Sequence, residues 1–223
     1  MSLLRLFPVS LLALLIAALF ACDQAISRDA ALSLNPAPGA PVHLRLYKRE
    51  SVLELWTLSE EGIFQLAKTY PICTWSGTLG PKLKQGDKQS PEGFYQVTTN
   101  SLNPNSRYHL SFNLGYPNAY DRAHGRTGDY LMVHGDCVSI GCYAMTDAGI
   151  DEIYGAVEAA LTAGQGRVKV HIFPFRMTPE NLGAAATSPW SGFWQNLAEE
   201  DQLFARTKIP GKITVVEKRY LIE

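Results

Sequence analysis

The sequence predicts an α+β fold that is mainly β, with one helix after a cysteine-rich turn and a helix and a strand near the carboxy end. Apolar and polar residues alternate in short runs between Val42 and Thr98, and one strong helical period follows Thr146. Of the 223 residues, 46% are hydrophobic, which is enough for a packed core. The formal net charge of −1 offers no basic surface for phosphates, so nucleic acid is not expected as a partner.

The amino terminus predicts an exported protein. The run Leu11–Cys22 is apolar and follows the single cation Arg5, which is typical of a secretory signal over residues 1–21. The residues ending at Cys22 resemble a bacterial lipobox, so Cys22 is a candidate for lipidation, and Asp23 would then favour the inner membrane. The lipid would be the only membrane anchor. Ordinary cleavage nearby, with Cys22 incidental, is the alternative, and both place the protein in the periplasm or cell envelope.

Three further segments follow the predicted signal. Residues 22–41 are rich in proline and predict an extended linker. Residues 42–176 predict one folded domain, and residues 177–223 predict a carboxy-terminal extension packed on it. In that extension Trp190–Arg206 has a helical period and Ile213–Ile222 reads as one strand.

The strands of the domain are predicted from alternation. Residues 42–57 read as a hairpin with one buried face, and residues 64–74 as a third and a fourth strand. Ser90–Gly93 has the residues of a type I turn that leads into a strand over Phe94–Thr98.

The second half of the domain begins with a long stretch lacking clear periodicity. Asn100–Arg126 predicts a loop that forms a binding surface. A short strand over Asp129–His134 precedes the cysteine-rich turn. A helix of about 16 residues, capped at Thr146 or Asp147 and ended near Gly164, then leads to a strand over Arg167–Phe175.

Residues 133–145 hold the densest chemistry in the chain. His134 could act as a base and Cys142 as a nucleophile, provided that an imidazole or a helix amino terminus stabilises the thiolate. Gly135 and Ser139 lie in the connecting turn. Gly141 allows close backbone approach, so that N–H groups near Cys142 could face an oxyanion.

Other readings of these residues stay open. His134, Cys137 and Cys142 could be part of a zinc site, although a fourth ligand is not local. Cys137 and Cys142 could form a disulfide, and His134 alone could be a buried core residue. A serine hydrolase centred on Ser139 is disfavoured, because Gly-x-Ser-x-Gly is absent.

Two segments together resemble the YkuD-type L,D-transpeptidase catalytic domain. They are Val133-His134-Gly135 followed by Ser139-x-Gly141-Cys142, and the upstream strand motif Ser90-Pro91-Glu92-Gly93-Phe94-Tyr95. Further segments resemble the YafK-like subgroup, namely residues 69–73, 75–77, 79–82, 111–113, 116–118 and 141–145. The resemblance covers about residues 42–175 and continues more weakly over 193–197.

The resemblance implies a β-sandwich or barrel and a cofactor-free, metal-free enzyme acting on peptidoglycan stem peptides. Cys142 would attack a carbonyl at meso-diaminopimelate to form a thioester, with His134 as general base and acid and Gly141, Ser139 and Gly135 shaping the site. The acyl group would pass to an amine or to water. The subgroup is associated with the second outcome, the release of a wall-linked lipoprotein.

Departures from the family pattern bear on the acceptor. Ile140 replaces the usual histidine before the Gly-Cys pair, Ala144 replaces the usual arginine, and the loop between His134 and Cys142 is short. These changes affect transpeptidation more than thioester formation. A competing hypothesis of another class is a non-catalytic, wall-binding lipoprotein.

Loop residues complete the candidate site. Cationic and polar side chains could hold substrate carboxylates, and aromatic rings could line a groove, which gives the substrate-binding candidates Lys82, Asn113, Tyr116, His124, Arg126 and Tyr143. Beyond Cys22 there are three cysteines, so at least one thiol has no partner within the chain. Pairing of Cys73 with Cys137 is the one of three pairings that leaves Cys142 free.

Overall fold

The computed structural model describes residues 38–223. The predicted signal over residues 1–21, Cys22 and the linker up to residue 37 lie outside the described residues. Within that range the strands are β1 Val42–Tyr47, β2 Val52–Leu58, β3 Phe64–Pro71, β4 Thr74–Trp75, β5 Gly93–Val97, β6 Leu102–Ser106, β7 His109–Asn113, β8 Met132–His134, β9 Tyr143–Ala144, β10 Val168–Phe173, β11 Ile213–Val216 and β12 Arg219–Ile222. The helices are α1 Ala119–Ala123, α2 Asp147–Ala160, α3 Pro179–Ala184 and α4 Ser191–Thr207.

The first sheet has the strand order β3-β2-β1-β10-β5, with β1 and β10 parallel and the other pairs antiparallel. β1 is buried on both faces. Leu44 and Leu46 point into the main core, whereas His43 and Arg45 point to the opposite face. This opposite face therefore needs a second layer to cover it.

The second sheet has the order β4-β9-β8-β7-β6. Phe112, Val133 and Tyr143 from this sheet share the main core with Leu44 and Val170 of the first. The two sheets therefore enclose one core, as in a sandwich. The prediction of an α+β, mainly β fold is confirmed.

The prediction of a loop over Asn100–Arg126 is wrong. β6 and β7 form a hairpin there, and α1 follows. The alternation is faint because the outward positions of β7, such as Ser111 and Asn113, are polar or half-buried, and β6 contains Pro104.

Helix α2 confirms the predicted helix after the cysteine turn. Thr146 is its N-cap, with Oγ1 accepting a hydrogen bond from the Gly149 amide at 3.0 Å. The buried face, including Ile150, Ile153 and Val157, packs into the main core. The helical path continues irregularly over Leu161–Gln165, where Gly164 has a φ of 102°.

The carboxy-terminal extension covers the outer face of the first sheet. A second apolar cluster joins Tyr47 and Phe173 of the sheet to Trp194 and Leu197 of α4. The predicted single strand over Ile213–Ile222 is wrong, because the chain reverses at Glu217–Lys218, with φ values of 48° and 61°. In residues 38–223, no helix is long and apolar enough to cross a membrane.

Candidate active site

The strand register brings His134 and Cys142 to one face of the second sheet. β8 and β9 are parallel, and His134 pairs with Ala144 while Val133 pairs with Tyr143. Val133 and Tyr143 point into the core, so His134 and Cys142 point away from it. Cys142 lies two residues before Ala144 and is thus a diagonal neighbour of His134.

The imidazole of His134 is fixed by its backbone surroundings. Nδ1 lies 2.6 Å from the carbonyl oxygen of Gly135, which can only accept, so Nδ1 donates and carries the proton. The ring also packs on Tyr108, with centroids 5.0 Å apart. Nε2 is therefore the nitrogen left to accept a proton. Burial lowers the pKa of His134, against smaller opposing effects of the Gly135 carbonyl and Asp136.

The backbone at Gly135 has no room for a side chain. A Cβ on this residue would stand 2.5 Å from Asp147 Oδ1 and 3.0 Å from the Tyr108 carbonyl oxygen. The Asp147 carboxylate instead accepts a hydrogen bond from the amide of Asp136 at 2.9 Å. Gly135 thus lets the turn leave β8 closely packed against the start of α2.

The thiol of Cys142 is half-buried and free. Sγ lies 3.7 Å from the carbonyl oxygen of Tyr130. Burial raises the pKa of Cys142, while the backbone amide of Met132 and the charge of Lys82 act in the opposite direction. The expectation of a thiol pKa lowered by the imidazole or by a helix amino terminus is therefore wrong. Burial therefore favours the neutral forms of both the Cys142 thiol and the His134 imidazole.

The turn before the cysteine is held by Ser139. Its hydroxyl donates to the carbonyl oxygen of Cys142 at 2.8 Å and accepts from the amide of Gly141 at 3.2 Å. Gly141 has a φ of 142°, which favours glycine. Because the Gly141 N–H is directed at Ser139, the prediction that it faces an oxyanion does not fit this arrangement.

Ser90 supports the same carbonyl from the first sheet's side, a role that the sequence analysis missed. Its hydroxyl donates to the Cys142 carbonyl oxygen at 3.0 Å and accepts from the amide of Ser76. The predicted type I turn over Ser90–Gly93 is wrong, since the segment carries no turn and Ser90 and Glu92 are fully buried. Two hydroxyls thus fix the main chain at the candidate nucleophile.

A buried ion pair lies beneath this segment. Lys48 Nζ is 3.1 Å from Glu92 Oε1, and both side chains are 0% exposed. Lys48 also donates to the carbonyl oxygens of Gly80 and Ser90, and Glu92 accepts from the indole of Trp194 at 2.8 Å. The pair ties the strand motif to the extension. A Pro-Glu-Gly segment at the start of a strand gives no local signal of this contact.

Cys73 and Cys137 form a disulfide with Cα atoms 5.2 Å apart. The amide of Cys73 donates to the carbonyl oxygen of Ala144, which brings β4 beside the turn. A zinc site or a Cys137–Cys142 bridge would each need Cys137, which this disulfide occupies. The pairing leaves Cys142 reduced.

Lys82 lies near the thiol but is not a solvated loop cation. It is 4% exposed, and its ammonium group bonds to Asp87. Tyr116 is also buried, with its hydroxyl donating to the Lys82 carbonyl oxygen at 3.2 Å. Tyr116 therefore supports the loop, which corrects its predicted contact with substrate.

The remaining substrate-binding candidates are mostly structural. Tyr143 is fully buried and donates to the Pro91 carbonyl oxygen, and Arg126 is buried and paired with Asp121 at 2.7 Å, so both predictions are wrong. His124 lies against the carboxy-terminal hairpin, 2.9 Å from the Lys218 carbonyl oxygen. Asn113, half-buried, pairs with Met132 in the register and so stands on the face that carries Cys142.

A comparison with known protein families shows which class of protein has this fold and this site. The model of the YkuD family, described as the L,D-transpeptidase catalytic domain, matches residues 52–172. The chain therefore belongs to this family, whose members act on peptidoglycan stem peptides.

Particular relatives agree with the family match. YafK of Escherichia coli (strain K12), whose name places it among the L,D-transpeptidases, is 50% identical over 184 residues, which span 82% of this chain and 74% of that protein. The YafK protein of Escherichia coli O157:H7 matches equally. The K307A mutant of Pgp2, the helical cell shape determining protein of Campylobacter jejuni, shares the fold. Its TM-score is 0.50 at 19% identity, over 78% of this chain and 71% of that chain.

Proposed function

We propose that this protein is a cysteine-dependent enzyme of the cell envelope that cleaves or exchanges a peptide bond at meso-diaminopimelate in peptidoglycan stem peptides. The observation that carries the proposal is the common face of His134 and Cys142, with Nδ1 of the ring held by a carbonyl and Nε2 left free. This is the arrangement that a nucleophile and its general base require.

The first step forms a thioester. His134 Nε2 takes the proton of the Cys142 thiol as Sγ attacks the stem-peptide carbonyl carbon. The C–N bond then breaks, and the same proton goes to the leaving amine. The acyl group stays on Sγ, and the imidazole returns to its neutral form.

The second step releases the acyl group. A water molecule or an amine attacks the thioester carbonyl while His134 takes its proton, and that proton passes to the departing sulfur. Water gives a carboxylic acid, which then releases its proton to solvent, and an amine gives a new amide bond. The thiol is restored in both cases, so no cofactor enters the balance.

Exposed apolar side chains around the thiol favour the hydrolytic release of a wall-linked lipoprotein as a second candidate. Tyr130, Val138 and Ile140 are 70%, 52% and 80% exposed. They flank Cys142, and the carbonyl of Tyr130 contacts Sγ. An apolar rim of this kind marks a contact surface, and it suits a stem peptide that carries a polypeptide better than a bare muropeptide.

The competing hypothesis is a wall-binding lipoprotein without catalysis. A binding module does not need a free thiol beside a histidine whose tautomer is fixed. Export through the segment over residues 1–21, with or without a lipid on Cys22, serves both hypotheses equally.

Muropeptide digestion separates the two. Wild type, Cys142→Ala, His134→Ala and the matched control His109→Ala, which changes an exposed histidine paired with Asp151, are incubated with diaminopimelate-containing muropeptides. Mass spectrometry should show products only for wild type and the control. Water or amine incorporation identifies the acceptor. Identical behaviour of all four proteins refutes the enzyme.

A further inference from the structure

A second cluster of chemically active side chains lies outside the candidate active site. His43 of β1, His171 of β10 and Glu200 of α4 are all buried, and one ligand atom from each lies within 4.8 Å of the others. The cluster sits between the outer face of the first sheet and the carboxy-terminal extension. It involves none of the residues that form the face of Cys142 and His134.

The polar atoms of this cluster lack partners among the residues that the structure describes. His43 Nε2, both ring nitrogens of His171 and both carboxylate oxygens of Glu200 make no hydrogen bond there. His171 Nδ1 lies 3.0 Å from Glu200 Oε2, so these two groups are close polar neighbours, whereas His43 Nε2 and His171 Nε2 have no polar partner in the described residues. Buried polar atoms are normally satisfied, so this concentration at one point calls for a ligand.

The tautomer of His43 suits metal ligation. Its Nδ1 lies 3.0 Å from the carbonyl oxygen of Lys169, so Nδ1 carries the proton and Nε2 presents a lone pair to His171 and Glu200. A backbone carbonyl in this position is the usual partner of a metal-ligating histidine.

We infer that His43, His171 and Glu200 form a binding site for a divalent transition metal ion of the Zn²⁺ type. Two imidazole nitrogens and one carboxylate oxygen are a recurrent zinc ligand set. Bonds of about 2.0–2.2 Å place tetrahedral ligand atoms roughly 3.3 Å apart. The contact between His171 and Glu200 has nearly this spacing already. On metal binding, the His43 ring would move closer to these two residues.

The surrounding charges agree with this inference. Arg45 lies 3.9 Å from Glu200 but bonds to Asp201 at 2.5 Å, so its charge is largely balanced by that second carboxylate. The backbone amide of Gly211 also faces Glu200. His171 and Gly211 also line a cavity of about 370 Å³ between β5, α1 and the carboxy-terminal hairpin.

The ion would join the extension to the catalytic domain. His43 and His171 belong to neighbouring strands of the first sheet, whereas Glu200 belongs to α4. Metal removal should therefore loosen the packing of α4 on the sheet. This effect is separate from the chemistry proposed for Cys142.

Metal binding is tested in a protein carrying Cys22→Ala and Cys142→Ala, because neither thiol can then hold zinc. After chelation and equilibrium dialysis against Zn²⁺, this parent should retain one zinc per chain. Chelator should lower its Tm, and Zn²⁺ but not Mg²⁺ should restore it. Glu200→Gln and His171→Asn should weaken binding at least about tenfold, while the exposed control His109→Asn should bind like the parent.

Two results overturn the inference. One is a parent protein that retains only trace zinc and whose Tm does not respond to Zn²⁺. This result can be obtained even if the variants do not fold. The other is folded Glu200→Gln and His171→Asn proteins that bind zinc as tightly as His109→Asn.

Discussion

His134 ends β8, and Cys142 directly precedes β9, the strand that pairs with β8 in parallel register. Burial disfavours charge on both groups, since it lowers the pKa of the imidazole and raises the pKa of the thiol. Both groups are therefore uncharged at neutral pH, and in the proposed mechanism the thiolate forms as the substrate is attacked. This distinguishes the site from cysteine sites with a preformed ion pair.

The first prediction concerns the pH dependence of the free thiol. Because burial raises the pKa of Cys142, the alkylation rate with iodoacetamide should rise with pH, with a midpoint above the ordinary thiol value of about 8.5. Because the pKa of His134 is lowered, its ring stays neutral down to a pH below about 6.5. Turnover should persist over the same range. A midpoint near pH 7 would show a preformed ion pair instead.

A matched pair of lysine variants checks the charge that acts on this thiol. Lys82 favours the thiolate, so Lys82→Met should move the alkylation midpoint to higher pH. Lys84→Met, which changes an exposed lysine of the same loop, should leave the midpoint unchanged. Equal midpoints for the two variants contradict a role for Lys82.

The second prediction concerns the hydroxyl that holds the turn. Ser139→Ala removes the donor to the Cys142 carbonyl and the acceptor for the Gly141 amide. Each such hydrogen bond contributes about 1 kcal/mol, so the loss of both should lower kcat by up to about thirtyfold with little change in KM. Ser59→Ala, which removes a hydroxyl without a hydrogen-bond partner in the described chain, is the control. An unchanged kcat for Ser139→Ala would contradict the proposal that Ser139 positions the main chain at Cys142.

The third prediction concerns the buried ion pair. Lys48→Met leaves Glu92 charged and unpaired in the interior, so the free energy of unfolding in urea should fall by about 3–5 kcal/mol. Lys48→Met with Glu92→Gln should recover part of the loss, because the amide carries no charge. Lys68→Met, at an exposed pair with Glu152, should change far less. Similar losses for Lys48→Met and Lys68→Met contradict the account.

The fourth prediction concerns the disulfide. Cys73 and Cys137 are separated by 64 residues, and a crosslink of that span restricts the unfolded chain by about 4 kcal/mol. Cys73→Ala with Cys137→Ala should lower the unfolding midpoint in urea while leaving Cys142 able to react with iodoacetamide. Non-reducing peptide mapping should join residues 73 and 137. A peptide linking 137 to 142 would remove the nucleophile.

Much of the fold was predictable because its signals are local. Alternation in β1, β2 and β10 has large apolar residues on the core side, and the Thr146 cap marks the start of α2. The hairpin of β6 and β7 was missed because its outward face is polar and its register is irregular. The reversal at Glu217–Lys218 was missed because neither residue is typical of a left-handed turn.

For the candidate site, sequence spacing was enough to single out His134 and Cys142 but not the residues that support them. Ser90 reaches Cys142 across 52 positions, and Lys48 reaches the Ser90 carbonyl across 42. Such contacts arise from tertiary packing and leave no periodic trace. For the same reason the sequence around the cysteine does not show that Tyr143 points into the core rather than into a groove.

The most direct test of the central claim is the intact mass of the protein after brief incubation with diaminopimelate-containing muropeptides and an acid quench. Wild type should gain the mass of the stem-peptide acyl group, which digestion of the same sample should locate on Cys142, and His134→Ala should gain it far more slowly. Consumption of muropeptides by Cys142→Ala at the wild-type rate, with Cys142 of the wild type unmodified, would contradict the account.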